Sequence, residues 1–218
     1  MWFRYESVVE DCMKRERPVL LIGRMGTAKT STVMQILERI KGDDFMSKNI
    51  TFSCATTPLI FQRTLEGCVE KRSGKTFGPP GSKKGAIFID DLSMPQINSW
   101  GDQVTNELVR QQIEMMGLYN LEKPGEWKSI VDLLFIAAMV QPGGGKNDIP
   151  GRLKRHFAIL NVTMPSMTAI DNIYGAMLRG RFYNQGHGPK PVSTEVAEAA
   201  TRLTDMTIML WQKVAARQ

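Results

Sequence analysis

Residues Gly23–Thr30 read GRMGTAKT, between the apolar run PVLLIG and the segment KTSTVMQILERI. The spacing is that of the phosphate-binding loop G-x-x-x-x-G-K-[ST], with Ala28 where the second glycine of that pattern stands. The run before it is short, apolar and bounded by proline and glycine, which predicts a buried strand. The segment after it puts Val33, Met34, Ile36, Leu37 and Ile40 at helical spacing. Strand, glycine turn and helix are what such a loop needs, because successive N–H groups and a helix N-terminus must converge on one anion. Gly23, Gly26, Thr27, Ala28, Lys29 and Thr30 are therefore the candidate nucleotide-binding residues. Lys29 would reach the terminal phosphates and the Thr30 hydroxyl would ligate Mg²⁺. Ala28, as the start of a helix, is expected in the right-handed region; in the left-handed region its methyl would cost about 1–2 kcal/mol. The bland alternative is a generic glycine turn before a helix.

Further along, SGKTFGPPG contains an intact Gly74-Lys75-Thr76. Counting back five residues from Gly74 gives Val69 rather than glycine, and two prolines follow where a helix would have to start. This stretch is read as a loop or hairpin. A stronger second signal is AIFIDD: four apolar residues and then two acids, the form of a strand that delivers a carboxylate to Mg²⁺ beside a phosphate loop. Asp90 would hold the ion through water and Asp91 would polarise an attacking water. Aspartate is one methylene, roughly 1.5 Å, shorter than the glutamate usual at that second position, and about 1 Å of misplacement can cost on the order of a hundredfold in rate. The alternative is a buried strand ending in a solvated acid pair.

The rest of the chain alternates in the same way. ESVVEDCMKRER predicts a short amphipathic helix, NITFSCA a strand, TPLIFQRTLEGCVEKR a helix, and SWGDQVTNELVRQQIEMMG a helix with Val104, Leu108, Ile113 and Met116 inward. SIVDLLFIAAMV holds another buried strand and FAILNVTMP the last, before the helix SMTAIDNIYGAMLRGRF. After NQGHGPKP, a linker by composition, STEVAEAATRLTDMTIMLWQKVAARQ predicts one long helix. The implied architecture is a parallel, doubly wound α/β sheet. The expected division is an αβ domain over 1–184, with the linker and the start of a helical unit over 185–218. Gln141, just past a buried strand, is placed between the two motifs. Arg152, Lys154 and Arg155 form a basic knot, read either as a surface patch or as a source of an arginine finger for an adjoining nucleotide site.

Composition excludes some functions. The net charge, 28 − 22 = +6, comes from residues spread along the chain, and no aromatic-interleaved basic groove supports nucleic-acid binding. No apolar stretch approaches the roughly 18–20 residues that span a bilayer, so no membrane partner is expected. Three cysteines without a C-x-x-C pair suit a reducing compartment. No His or Cys cluster suggests a resident metal, so any metal is expected to arrive with a nucleotide.

Taken together, PVLLIGRMGTAKT, FQRTLEGCVEKRSGKTFGPPGSKKGAIFIDDLSMP, WGDQVTNELVRQ, FIAAMVQPGGGKNDIPGRLKRHF and NVTMPS resemble an AAA+ module of a dynein heavy chain. The resemblance spans roughly residues 18–165 and is strongest to the third ring module of an axonemal outer-arm chain. It implies a P-loop NTPase fold: an AAA+ αβ large subdomain followed by a helical small subdomain. Lys29 and Thr30 fall on its Walker A positions, Asp90 and Asp91 on Walker B, Gln141 on sensor I, where asparagine is more usual, and Arg152 on the arginine finger that serves the preceding module. It implies ATP or ADP with Mg²⁺ as ligands, neighbouring AAA+ modules and, through the whole motor, a microtubule as partners, and the cytoskeleton of a cilium or flagellum as location. The third module of that family is generally regulatory, so ATP binding with slow hydrolysis is expected; the alternative is a nucleotide-independent structural module.

Overall fold

A computed structural model describes residues 2–40, 42, 45–143, 146–182 and 193–215. They form two compact units, Trp2–Met164 and 165–218. The boundary expected at 184 and the linker after it lie outside the described residues.

The first unit opens with α1 (Trp2–Lys14), followed by β1 (Val19–Ile22), α2 (Lys29–Ile40), β2 (Phe45–Thr51) and α3 (Pro58–Glu66). Then come β3 (Glu70–Ser73), β4 (Thr76–Gly78), β5 (Lys84–Asp90), α4 (Val104–Met115), β6 (Gly117–Tyr119) and β7 (Trp127–Ile130). It ends with β8 (Leu133–Met139), the short α5 (Gly151–Lys154) and β9 (Ala158–Asn161).

The main sheet has the order β2-β5-β8-β1-β9 and every pairing in it is parallel. Strands that carry loop and acid are thus separated by one strand, β8. Both faces are covered, which is why β1, β5 and β8 read as unbroken apolar runs. Leu20, Ile87, Ile89, Phe135 and Ala137 pack under α3 and α4, whose Phe61, Leu65, Leu108 and Val109 complete that core. Val19, Leu21, Phe88, Ile136 and Ala138 face the other way, toward Val33, Ile36 and Leu37 of α2 and Val9 and Met13 of α1. The alternation within each run is the period of two that sends successive side chains to opposite faces.

Several sequence expectations change here. The helix expected through Arg72 stops at Glu66, and Glu70–Ser73 pairs antiparallel with β4. Thr57 caps the helix start, its hydroxyl accepting from the Ile60 N–H at 3.3 Å, but Gly67 ends it. Gly74 makes the hairpin turn at φ 57°. Beyond it β4 runs parallel to β7, and β7 pairs with β6, giving a second sheet of order β3-β4-β7-β6. Its strands are three or four residues long and carry no apolar periodicity, so no local signal announces them. On α4 the inward face is not the expected one. Val104 and Met116 are 47% and 62% exposed, whereas Thr105, Asn106, Leu108, Val109 and Gln112 are buried. Three of those five are polar because they serve neighbouring backbone: Thr105, Asn106 and Gln112 donate to the carbonyls of Thr56, Leu92 and Ile130.

In the second unit, Met167–Phe182 is continuously helical: α6 (Met167–Ile170), a π turn over Asp171–Gly175, and α7 (Ala176–Phe182). The long helix α8 covers Thr194–Ala215, with Glu195 in its first turn. Leu203, Met206, Met209, Leu210 and Trp211 on α8 are exposed.

Candidate functional site

The loop of residues 23–28 joins the C-terminal end of β1 to the N-terminus of α2 at Lys29. Two backbone positions set its curvature. Gly26 has φ 78° and Ala28 has φ 54°. The latter corrects the expectation of a right-handed Ala28: the helix starts one residue later, and the residue before Lys29 takes the left-handed turn that favours glycine. The Ala28 carbonyl then accepts from both the N–H and the hydroxyl of Thr32, at 3.0 and 2.9 Å, so the strained residue is tied to the first turn of α2. Gly23 is required by space: a Cβ there would lie 2.3 Å from the Val162 carbonyl oxygen. Thr27 is buried and donates its hydroxyl proton to the Arg24 carbonyl at 2.8 Å, bracing the loop from within.

Among the described residues, the N–H groups of Gly26 to Thr30 take part in no backbone hydrogen bond. A run of unpaired N–H donors at a helix start is a cradle for an anion. Lys29 lies across it. Its Nζ donates to the carbonyls of Gly23 at 2.8 Å and Arg24 at 2.9 Å, and to Thr27 Oγ1 at 3.3 Å. Burial holds the Lys29 amine below the usual lysine range, against the opposing pull of Asp90 and Asp91.

The second motif meets the first. Thr30 Oγ1 donates to Asp90 Oδ2 at 2.8 Å, across 60 residues of sequence. Asp91 lies just beyond β5 at φ 56°, and its N–H donates to Asp90 Oδ1 at 3.1 Å. Burial and the charge of Asp90 push the Asp91 carboxyl up from its ordinary value, while Lys29 and Lys146 pull it down. These residues fit a Mg²⁺-nucleotide: an uncovered N–H cradle, a lysine amine within it, and a hydroxyl and carboxylate already side by side.

The remaining candidates lie further out. Gln141 is exposed and shares a cavity of about 240 Å³ with Gly23, Arg24, Asn161 and Val162, on the β9 side of the loop. Arg152, on α5, is engaged by α4 and the turn before it. It donates to Asp102 Oδ1 at 3.1 Å, and its Nε lies 2.8 Å from Glu107 Oε1, an ion contact without hydrogen-bond alignment. Neither partner belongs to the phosphate loop. The other members of the basic knot are paired too, Lys154 with Asp148 at 2.6 Å and Arg155 with Glu114 at 2.9 Å. His156 packs half-buried with Nε2 3.8 Å from Glu114.

Sequence reasoning missed Gln103 and Asn106, which are buried and hold the backbone just after Asp91. No pattern in the sequence marked them, because the periodicity there put Val104, Leu108, Ile113 and Met116 inward, and Gln103 is the residue that precedes α4.

Comparison with known proteins agrees with this geometry. The model of the family described as the P-loop containing dynein motor region matches residues 2–165. The chain is 51% identical over 209 residues to dynein axonemal heavy chain 5 of Mus musculus, covering 96% of this chain and 4% of that one. It is 50% identical over 212 residues to the dynein gamma chain, flagellar outer arm, of Chlamydomonas reinhardtii, covering 97% and 5%. Against dynein axonemal heavy chain 10 of Homo sapiens the identity is 33% over 207 residues, covering 95% and 4%. The chain thus spans about one-twentieth of the length of these relatives. On the family match, the parallel sheet and the loop that leads from β1 into α2, the chain belongs to the P-loop-containing motor region of the dynein heavy chains.

Proposed function

We propose that this chain is an ATP-binding AAA+ module of an axonemal dynein motor, regulatory in role and slow to hydrolyse. The observation that carries the reading is the 2.8 Å contact between Thr30 Oγ1 and Asp90 Oδ2, because it brings the two groups that share a divalent cation in a P-loop site to one point. Lys29 and the free N–H groups of residues 26–30 would hold the β- and γ-phosphates of ATP or ADP. Thr30 and Asp90 would hold Mg²⁺, which bridges the phosphates and offsets their charge. Asp91 is assigned the placing of the attacking water. Its shorter side chain and its left-handed backbone favour retention of nucleotide over turnover. Gln141, two residues past the end of β8, is assigned to the γ-phosphate side.

Arg152 points its charge at α4 rather than at this chain's loop, which suits an arginine finger that serves a neighbouring AAA+ module of the same heavy chain. The large subdomain and the helical segment after it are read as parts of one ring module, whose nucleotide state acts on its neighbours. Through the whole motor its action ends at a microtubule in the axoneme of a cilium or flagellum. The test is titration of a fluorescent ATP analogue with Mg²⁺ against the wild type and Lys29→Ala. Saturable binding lost in the variant is expected, with phosphate release slower than about 1 s⁻¹, the low end of ordinary turnover. No saturable binding by the wild type would refute the reading in favour of a nucleotide-independent structural module.

A further inference from the structure

Between the acid that follows β5 and the arginine of α5 lie two groups of hydrogen bonds, joined where Asp102 adjoins Gln103 in the chain. Asn106, fully buried, donates through Nδ2 to the Leu92 carbonyl at 3.1 Å and to Gln103 Oε1 at 2.7 Å. Gln103, also buried, donates through Nε2 to the carbonyls of Ser93 and Pro95, both at 3.2 Å. Two side-chain amides thus hold three carbonyls of the run directly after Asp91. The far end of that run closes on Asp102. The Asn98 N–H donates to the Asp102 carbonyl at 2.9 Å, and Asn98 Oδ1 accepts from the Asp102 N–H at 2.8 Å. Asp102 Oδ1 then accepts from Arg152 at 3.1 Å.

Burial ties the first part of this run, Leu92, Ser93 and Pro95, to the start of α4. A buried amide that loses its partner pays the full cost of desolvation, so the carbonyls of Leu92, Ser93 and Pro95 move with the start of α4 or not at all. Leu92 is itself fully buried, and its N–H donates to the Ala138 carbonyl of β8 at 3.0 Å. Residues 96–102 are exposed, so a shift just after Asp91 reaches Asp102 through the buried Gln103, its neighbour in the chain, rather than along the run itself. The two acids that face Arg152 differ in one respect. Glu107 is already held by Arg110, at 3.0 Å, on the body of α4, whereas Asp102 adjoins Gln103, which holds the carbonyls just after Asp91.

We propose that Asp102 is a positioning residue for Arg152, coupled to Asp91 through Gln103 and Asn106, so that the state of this chain's own phosphate site sets the placement of the arginine it presents outward. The inference rests on the ATP-site and arginine-finger readings above.

The test is hydrogen–deuterium exchange of the intact chain, with and without Mg²⁺ and a non-hydrolysable ATP analogue, in the wild type, Asp102→Asn and Asp102→Glu. The amides of Leu153, Lys154 and Arg155, which are hydrogen-bonded across α5, report on Arg152. In the wild type, nucleotide should change exchange at residues 92–98 and at 153–155 together. In Asp102→Asn the 92–98 response should remain and the 153–155 response should fall by about threefold, the scale of a half-exposed ion pair, with analogue affinity unchanged and Asp102→Glu restoring the response. A wild-type-sized response at 153–155 in Asp102→Asn would overturn the proposal, as would a wild-type response confined to 92–98.

A nucleotide-free double-mutant cycle separates this inference from the ATP reading. Asn106→Ser frees the Leu92 carbonyl and should speed exchange at 153–155 in the wild-type background but not in Asp102→Asn. Additive effects would overturn the coupling even if nucleotide binds. If the wild type binds no nucleotide and the cycle is non-additive, the ATP reading fails and the positioning role stands. Should Asn106→Ser not fold, Gln103→Met replaces it in the cycle.

Discussion

Ala28→Gly is the sharpest test of the loop's geometry. Ala28 has φ 54°, and an L-residue in that region costs about 1–2 kcal/mol that glycine does not. Glycine also loses more freedom on folding, which returns about 0.4–1 kcal/mol to the unfolded state. The difference leaves a net gain of up to about 1.6 kcal/mol, with about 0.8 kcal/mol as the centre of that range. For a unit of this size about 2–4 °C accompanies each kcal/mol, so Tm should rise by about 1–3 °C. Gly26→Ala is the mirror experiment. Gly26 sits at φ 78° with nothing within 4 Å of an added Cβ, so the substitution introduces backbone strain without a clash and, with the same unfolded-state offset, should lower Tm by about 1–3 °C. Gly151→Ala, equally open but without a positive φ, is the control and should not destabilise. The assay is thermal unfolding of each variant, accompanied by titration with the fluorescent ATP analogue. A fall in Tm for Ala28→Gly, or a rise for Gly26→Ala, would refute a left-handed turn before Lys29.

Three further outcomes follow from the same structure. The Asp91 carboxyl is pushed up from the ordinary aspartate range by burial first and by Asp90 second, so the folded state holds that proton more tightly than the unfolded one. Stability contributed by this group is therefore lost as pH rises from the unfolded value through the raised folded value; Asp91→Asn should be more stable than wild type at pH 7, with the gain shrinking on acidification toward the ordinary aspartate range, as read by Tm across pH. A variant less stable at pH 7 would contradict this. Gly23→Ala would place a Cβ 2.3 Å from the Val162 carbonyl oxygen, forcing the loop from β9 at a cost of about 1–3 kcal/mol; denaturant unfolding should show it, and an unchanged midpoint would deny the close approach. Phe61, fully buried, meets Phe52 edge-on at 5.6 Å; Phe61→Ala should cost about 3–5 kcal/mol, and a loss below about 1 kcal/mol would mean that this core is not closed as described.

What the sequence determined by itself was the set of local features whose signal is local. The runs PVLLIG, AIFIDD and LLFIAAM are apolar on both alternating faces, which only a strand covered on two sides requires, and the loop GRMGTAKT sits where a strand hands over to a helix. From these the α/β class, the phosphate loop and the acid pair were legible, and the intact GKT at Gly74 could be set aside on spacing. Tertiary structure decided what depends on partners distant in sequence. Glu70–Ser73 leaves the helix because β4 is there to pair with it, and a four-residue polar segment has no pattern of its own to say so. Gln103 and Asn106 read as ordinary solvent-facing amides until the carbonyls of Leu92, Ser93 and Pro95 are brought against them. The left-handed turn at Ala28 is likewise invisible in composition, because methyl against hydrogen records only the residue present and not the φ that the closing loop imposes on it. The pairing of Arg152 with Asp102 belongs to the same class: an ion pair across 50 residues is set by where α5 and the start of α4 come to rest, and no spacing rule along the chain contains it.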